Sequence, residues 1–285
     1  MTISGKTKVC GVIGDPIEHT LSPIMQNAAF EALEIDYAFL AFKVKATEVE
    51  NAIRGTRALN IHGLNVTMPH KNAAIKYLDE IDPTAKAVAS VNTILNKDGK
   101  LFGFNTDGVG ALNALENNGV KPKGKKILLI GAGGAAKAIA YTLSQEADEL
   151  VILSRNTSPT TELANLLKQK FNKKISAVEL SPKLMKEHLA NANVLINATS
   201  VGMNPNANQT LVAPELLKPD LAVMDIVYNP LETKLAKDAK LAGAKVVSGV
   251  EMLIYQGAAS FEIWTACKAP VEVMRKAALN HLVTV

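Results

Sequence analysis

The chain has 285 residues, 48% of them apolar and 20% charged, a balance that builds a folded core and excludes an intrinsically disordered polymer. The formal net charge is only +4, the basic residues are scattered, and the short run from Lys121 to Lys126 lacks interleaved aromatics, so no nucleic-acid partner is expected. No apolar stretch reads as a membrane span or a signal peptide, and Cys10 and Cys267 stand far apart outside any metal or redox spacing; a cytoplasmic protein with reduced thiols, no membrane association and no metal is expected.

In chain order, Val9–Gly14 reads as a strand, followed by a helix over Ser22–Glu34 with Ser22 as N-cap and Pro23 at its first position. Tyr37–Val44 is a strand, Ala46–Leu59 a helix and Ile61–Val66 a strand. A further helix is predicted from Pro69 to about Leu78. This places Lys71 in a first helical turn, where the dipole disfavours a cation. Ser90–Asn96 and Lys100–Asn105 flank Asp98-Gly99, a hairpin signal. The first hundred or so residues therefore read as an α/β layer with an antiparallel strand at one edge.

A second unit opens with a helix at Asp107–Asn117. The strand "KKILLIGAGG" then runs into a glycine turn and the helix "AAKAIAYTLSQ", and "ELVILSRN" is the next strand. Asn193–Ser200, Leu221–Tyr228 and Ala244–Gly249 supply three more. This alternation implies a parallel sheet with right-handed crossovers. From Val250 the pattern is helical with no strand of its own, so it is expected to pack back on the first domain. The fold class expected is α/β in two domains. Residues 1–106 with 250–285 form a mostly parallel substrate domain, and 107–249 form a Rossmann-type dinucleotide domain.

Gly131-x-Gly133-x-x-Ala136 follows a strand and opens a helix, the context in which this fingerprint is specific for a dinucleotide. The next strand ends in Ser154-Arg155-Asn156-Thr157 without a carboxylate for the adenosine ribose. A guanidinium flanked by hydroxyl and amide donors suits a 2′-phosphate, so NADP is the expected cofactor. Several polar residues of the first domain lie where strands end: Thr20 and Ser22, Asn65 and Thr67, Asn92, then Asn105, Thr106 and Asp107. Ser22 and Asp107 also fit as plain helix caps, and Lys71 as a surface lysine. His19 reads as a turn residue, and the five histidines show no metal spacing.

Taken together, these residues resemble the shikimate dehydrogenase family over nearly the whole chain. The ordered set comprises "GVIGDPIEHTLSPIMQNAAF", "NVTMPHK", "SVNT", "GFNTDG", "IGAGGAAKA", "NATSVGM", "DIVYNPLET" and "GVEMLIYQGAASFEIW". The resemblance implies reversible NADPH-dependent reduction of 3-dehydroshikimate to shikimate, on the route to chorismate and the aromatic amino acids. It implies Lys71 and Asp107 as the catalytic pair, with Thr20, Ser22 and Tyr228 on the substrate carboxylate. Thr67, Asn92 and Gln256 would serve the ring hydroxyls. For the cofactor it implies the turn Gly131, Ala132, Gly133, Gly134 and Ala135, then Ser154, Arg155 and Asn156, with Thr199, Ile226, Gly249 and Met252. A homodimer is compatible with it. Three positions depart from the family pattern: Thr20 stands where serine is usual, Gln26-Asn27 replaces His-Asn, and Ser154-Arg155-Asn156 replaces Asn-Arg-Thr. Thr20 leaves quinate open as an alternative substrate, and an NADP(H)-sensing relative without catalysis is the other alternative.

Overall fold

The computed structural model describes residues 2–284. The chain divides into two compact α/β units, one made of the residues up to Asp107 and those from Ile254 on, the other of Gly108–Leu253.

The first unit contains β1 (Lys8–Gly14), α1 (Ser22–Ala32), β2 (Tyr37–Lys43), α2 (Val49–Ala58), β3 (Gly63–Val66), β4 (Glu80–Ile81), α3 (Pro83–Val88), β5 (Thr93–Lys97) and β6 (Lys100–Phe104). The sheet order is β2-β1-β3-β5-β6-β4. β5 is antiparallel to both neighbours, β3 and β6, whereas β1, β2 and β3 run parallel and β4 runs parallel to β6. The reversed strand is thus interior, not at the edge. The hairpin turn at Asp98 (φ +54°) and Gly99 (φ +82°) is as the sequence suggested. The correction comes from the edge: two-residue β4, too short for any periodic signal, pairs outside β6.

A second correction concerns the segment after β3. No α-helix starts at Pro69. The Met68–Pro69 peptide is cis, residues 68–72 form turns, and a short 3₁₀ helix spans Ala73–Tyr77. Lys71 therefore sits in a turn, and the dipole argument against a cation there does not apply. The first helix also starts differently: Ser22 is its first residue rather than its cap, Leu21 flanks it without a side-chain cap, and Pro23 comes second.

On one face of this sheet Ile13, Leu64, Val66 and Ile94, with Val91 of the loop before β5, form one buried cluster with Val49 and Ile53 of α2 and with Ala74 of the 3₁₀ segment. Two C-terminal helices complete the unit, α9 (Gly249–Thr265), which belongs to it from Ile254 onward, and α10 (Val271–Thr284). On α9, Phe261 stacks on Phe30 at 5.3 Å, and the Trp264 indole N–H donates to the Ile94 carbonyl at 2.9 Å. Gly63 makes this approach possible, since a Cβ there would lie 2.3 Å from the indole nitrogen.

The second unit contains α4 (which begins at Asp107 and runs to Asn117), β7 (Lys126–Ile130), α5 (Gly134–Glu146), β8 (Glu149–Ser154), α6 (Thr157–Phe171), β9 (Lys174–Glu179), α7 (Pro182–Leu189), β10 (Val194–Asn197), β11 (Ala222–Asp225), α8 (Lys234–Leu241) and β12 (Lys245–Val247). All six strands are parallel in the order β12-β11-β10-β7-β8-β9. The order reverses between β7 and β10, which is where doubly wound sheets bind ligands, at the strands' carboxyl ends. The central strands are unbroken apolar runs buried on both faces: Leu128, Ile130, Val151 and Leu153 on one, Ile127, Leu129, Ile152 and Ile196 on the other. Among the described residues, no helix is long and apolar enough to cross a membrane, and no group of three or more His, Cys, Asp or Glu could hold a metal ion.

Candidate active site

The first unit gathers most of its expected site residues around one ion pair. Lys71 Nζ donates to Asp107 Oδ2 at 2.5 Å, and the Asp107 side chain is only 5% exposed. Asn92 Nδ2 donates to the other carboxylate oxygen at 2.8 Å. Asp107 is the first residue of α4, so the positive end of that helix favours its charge. Capping falls instead to Asn105, whose Oδ1 accepts from the Asp107 N–H at 3.0 Å. The Asp107 carboxylate bonds to Lys71 and Asn92.

The Asn92 amide is held in one orientation. Its Oδ1 accepts from the Thr106 backbone N–H at 2.8 Å, so its Nδ2 must face Asp107, and Gln256 Oε1 also lies 3.4 Å from that nitrogen. At the end of β1, the hydroxyls of Thr20 and Ser22 lie 3.3 Å apart, with Ser22 buried and Thr20 partly exposed. The Ser22 N–H donates to Thr20 Oγ1 at 3.3 Å. Thr67 follows β3 and packs directly over Gly14, where a Cβ would come within 2.4 Å of Thr67 Cγ2. Gln26 turns away from this group and donates to the Gly257 carbonyl at 2.9 Å.

Two polar residues of this region carry more of the geometry than their sequence context shows. Asn65 Nδ2 reaches the Asn92 carbonyl, Thr93 Oγ1 and Ser260 Oγ at 3.1 to 3.2 Å. Ser260, fully buried, lies among several of these groups. A serine inside an apolar helix run gives no sequence signal of that position.

In the second unit, the turn after β7 is built to receive an anion. Gly131 has φ +132°, and a Cβ there would meet the Ala198 carbonyl at 2.7 Å, so only glycine fits. Nothing lies within 4 Å of a Cβ built on Gly133. Gly133 is also the N-cap of α5, no side chain caps it, and the first turn carries no acidic residue. The free N–H groups of Gly134, Ala135 and their neighbours are thus open to a phosphate, and Ala132 lies in the turn between the two glycines. These features fit the pyrophosphate of a dinucleotide. After β8, Arg155 is exposed and makes no ion pair among the described residues. Ser154 does not join it: its hydroxyl is buried, bonded to the Asn156 carbonyl and Thr160 Oγ1, both at 2.8 Å. Asn156 caps α6 by accepting from the Ser158 N–H.

The loops after β10 and β11 are tied by Asp225. Its Oδ1 accepts from Asn197 Nδ2 at 2.9 Å and from the Val227 N–H at 3.1 Å, and its Oδ2 accepts from Thr233 Oγ1 at 2.6 Å. Burial pushes this carboxyl above the ordinary aspartate value, although all three hydrogen bonds pull the other way. Thr199 turns back on Asn197 Oδ1 at 2.7 Å. Gly249 packs on the Ile226 and Val227 carbonyls, where a Cβ would lie within 2.6 Å of both. Tyr228 is half-buried and Met252 buried within this unit's sequence range.

Residues 12–94 match the shikimate dehydrogenase substrate binding domain, 114–228 the shikimate / quinate 5-dehydrogenase domain, and 249–279 the shikimate 5′-dehydrogenase C-terminal domain. A curated shikimate dehydrogenase (NADP(+)) of Thermococcus kodakarensis is 50% identical over 277 residues, covering 97% of this chain and 98% of that protein. One from Methanopyrus kandleri is 47% identical, covering 99% and 98%. A crystal structure of a shikimate dehydrogenase in complex with NADP+ superimposes with a TM-score of 0.93 at 44% identity, covering 99% of this chain and 98% of that one. With relatives this similar over both units, the chain belongs to the shikimate dehydrogenase family.

Proposed function

We propose that the protein catalyses the reversible NADPH-dependent reduction of 3-dehydroshikimate to shikimate, a step toward chorismate and the aromatic amino acids. The observation that carries this reading is the ion pair between partly exposed Lys71 and buried Asp107, held by Asn92, in a chain whose relatives are named for this activity. NADPH, when bound, supplies the hydride that turns the ring ketone into an alcohol.

The chain's own residues do the rest. The Thr20 and Ser22 hydroxyls, 3.3 Å apart, receive the substrate carboxylate, with Tyr228 as a further hydroxyl. Thr67, Asn92 and Gln256 hold the ring hydroxyls. Lys71 sits at the reacting oxygen, steadies the negative charge that develops there and gives it a proton. Asp107 orients the ammonium and accepts from a neighbouring substrate hydroxyl. On the cofactor side, the Gly131–Ala135 turn takes the pyrophosphate and Arg155 the 2′-phosphate. Ser154, bonded to the Asn156 carbonyl, and Asn156, which caps α6, shape the loop that carries Arg155, while Ile226, Gly249 and Met252 form the nicotinamide end and Thr199 lies on the cofactor side. An NADP(H) sensor would have no use for both Lys71 and Asp107, which favours an enzyme.

The decisive experiment is a turnover assay with shikimate and quinate, each with NADP and NAD, run on the parent protein and on Lys71→Ala. Turnover is expected with shikimate and NADP. In the variant kcat should fall by about 10²- to 10⁴-fold, with a much smaller rise in KM. Equal turnover of quinate would overturn the substrate assignment. Unchanged kcat in Lys71→Ala would remove the lysine from the chemistry.

A further inference from the structure

Ser260 lies on α9 one helical turn beyond Gln256, and its side chain has no solvent exposure. Its hydroxyl donates to the Gln256 carbonyl at 3.0 Å. The same oxygen lies 2.7 Å from Thr93 Oγ1, 3.1 Å from Asn65 Nδ2 and 3.2 Å from Thr106 Oγ1. One hydroxyl therefore joins β3, β5, the residue before α4, and α9. Its side-chain partners Thr93, Asn65 and Thr106 are themselves buried, Thr93 completely, whereas Gln256 is partly exposed.

These contacts lead to the reacting groups through Asn92. Its Oδ1 takes the Thr106 backbone N–H and also lies within hydrogen-bond distance of both threonine hydroxyls, 3.0 Å from Thr93 and 3.2 Å from Thr106. Each hydroxyl has one proton to give. With Ser260 present, the two threonines have two acceptors between them, Asn92 Oδ1 and Ser260 Oγ, and Asn65 has a further acceptor for its amide protons. Without Ser260 Oγ, both threonine protons compete for Asn92 Oδ1, which already holds a backbone N–H. The line from Asn92 through Asp107 to Lys71 starts from that amide.

We propose that Ser260 is a positioning residue for this reaction: it fixes the Asn92 amide against Asp107 and holds α9 so that Gln256 meets the same amide. The inference rests on the functional reading above, in which Asn92 and Gln256 serve the substrate ring. The competing account is a serine that merely bonds back along its own helix. Ser144 in α5 supplies the matched control: it is also buried, and its hydroxyl donates to the Ala140 carbonyl at 2.6 Å along its own helix.

The test compares Ser260→Ala, Ser260→Thr and Ser144→Ala in steady-state kinetics with shikimate and NADP, alongside thermal unfolding. Ser260→Ala should lower kcat/KM for shikimate by about tenfold or more, through both a lower kcat and a higher KM, and leave KM for NADP unchanged. Ser260→Thr, which keeps the hydroxyl, should recover most of the loss. Ser144→Ala should lower the unfolding temperature while leaving both KM values alone. If Ser260→Ala does not fold, Thr93→Val, which removes one hydroxyl of the node at constant shape, should show the same shikimate-specific loss. A shikimate kcat/KM within about twofold of the parent in the folded variant, or equal kinetic losses in both serine variants, would overturn the proposal. Lys71→Ala, measured in parallel, separates the two levels: if it keeps its kcat the catalytic reading itself fails, and if it alone loses kcat only the role of Ser260 fails.

Discussion

Gly14 offers a test of how tightly Thr67 is placed. It closes β1, and a Cβ built on it would lie 2.4 Å from Thr67 Cγ2, 3.1 Å from Ile17 Cδ1 and 3.2 Å from the Met68 carbonyl oxygen. Carbon atoms settle at roughly 3.5–4.0 Å, so Gly14→Ala must drive the threonine methyl away by about 1 Å or more. Thr67 has little freedom to absorb this. Its χ1 is stiff because it is β-branched, its N–H donates to the Ile13 carbonyl at 2.9 Å, and its carbonyl accepts from the His70 N–H at 2.9 Å. The packing cost is about 1–3 kcal/mol of stability. A displacement of about 1 Å in a substrate-positioning group costs on the order of 10²-fold in rate. The variant should therefore lose one to two orders of magnitude in kcat/KM for shikimate, followed by NADPH absorbance, with KM for NADP unchanged. If the folded variant turns over shikimate within about threefold of the parent, the site does not depend on where Thr67 stands.

Two further outcomes follow from the second unit. Arg155→Ala should weaken NADP by about 10- to 100-fold, as expected for a charge-assisted hydrogen bond, and leave NAD nearly unchanged; equal losses would mean that Arg155 does not read the 2′-phosphate. Asp225 binds its proton more tightly in the folded than in the unfolded state, because burial raises it above 3.8. Its contribution to stability therefore declines as pH rises from 3.8 through the raised value, then levels. Asp225→Asn, with no proton to lose there, should lack that decline when urea midpoints are measured across the acid range. An unaltered pH slope would show that Asp225 does not cause it.

What could be read from the sequence was local. The turn at Gly131 and Gly133 was legible because a strand, a glycine turn and a helix follow one another within a few residues. Asp98-Gly99 fixed its hairpin for the same reason. What could not be read depended on partners far along the chain. Pro69 suggested a helix start, yet the segment turns, and Lys71 finds its counter-charge on Asp107 rather than in a helix end. β5 lies inside its sheet because two residues at 80 and 81 pair beyond β6, and no pattern of that length is visible in a sequence. Ser154 looked like a phosphate donor beside Arg155, but its hydroxyl is spent inside the turn. Ser260 looked like one small residue in an apolar helix, and only its contacts with β3 and β5 give it a place near Asn92.

The return of α9 and α10 to the first sheet sets an order of assembly during synthesis. Lys71, Asn92 and Asp107 leave the ribosome early, and the Gly108–Leu253 unit, continuous in the chain, can fold as soon as its last strand emerges. The first sheet must wait for Trp264, Phe261 and Ser260 while one of its faces lacks its covering helices. A chain truncated before α9 would keep both charges of the ion pair and the whole glycine turn, yet expose that apolar face and become a substrate for chaperones and proteases before it could become an enzyme.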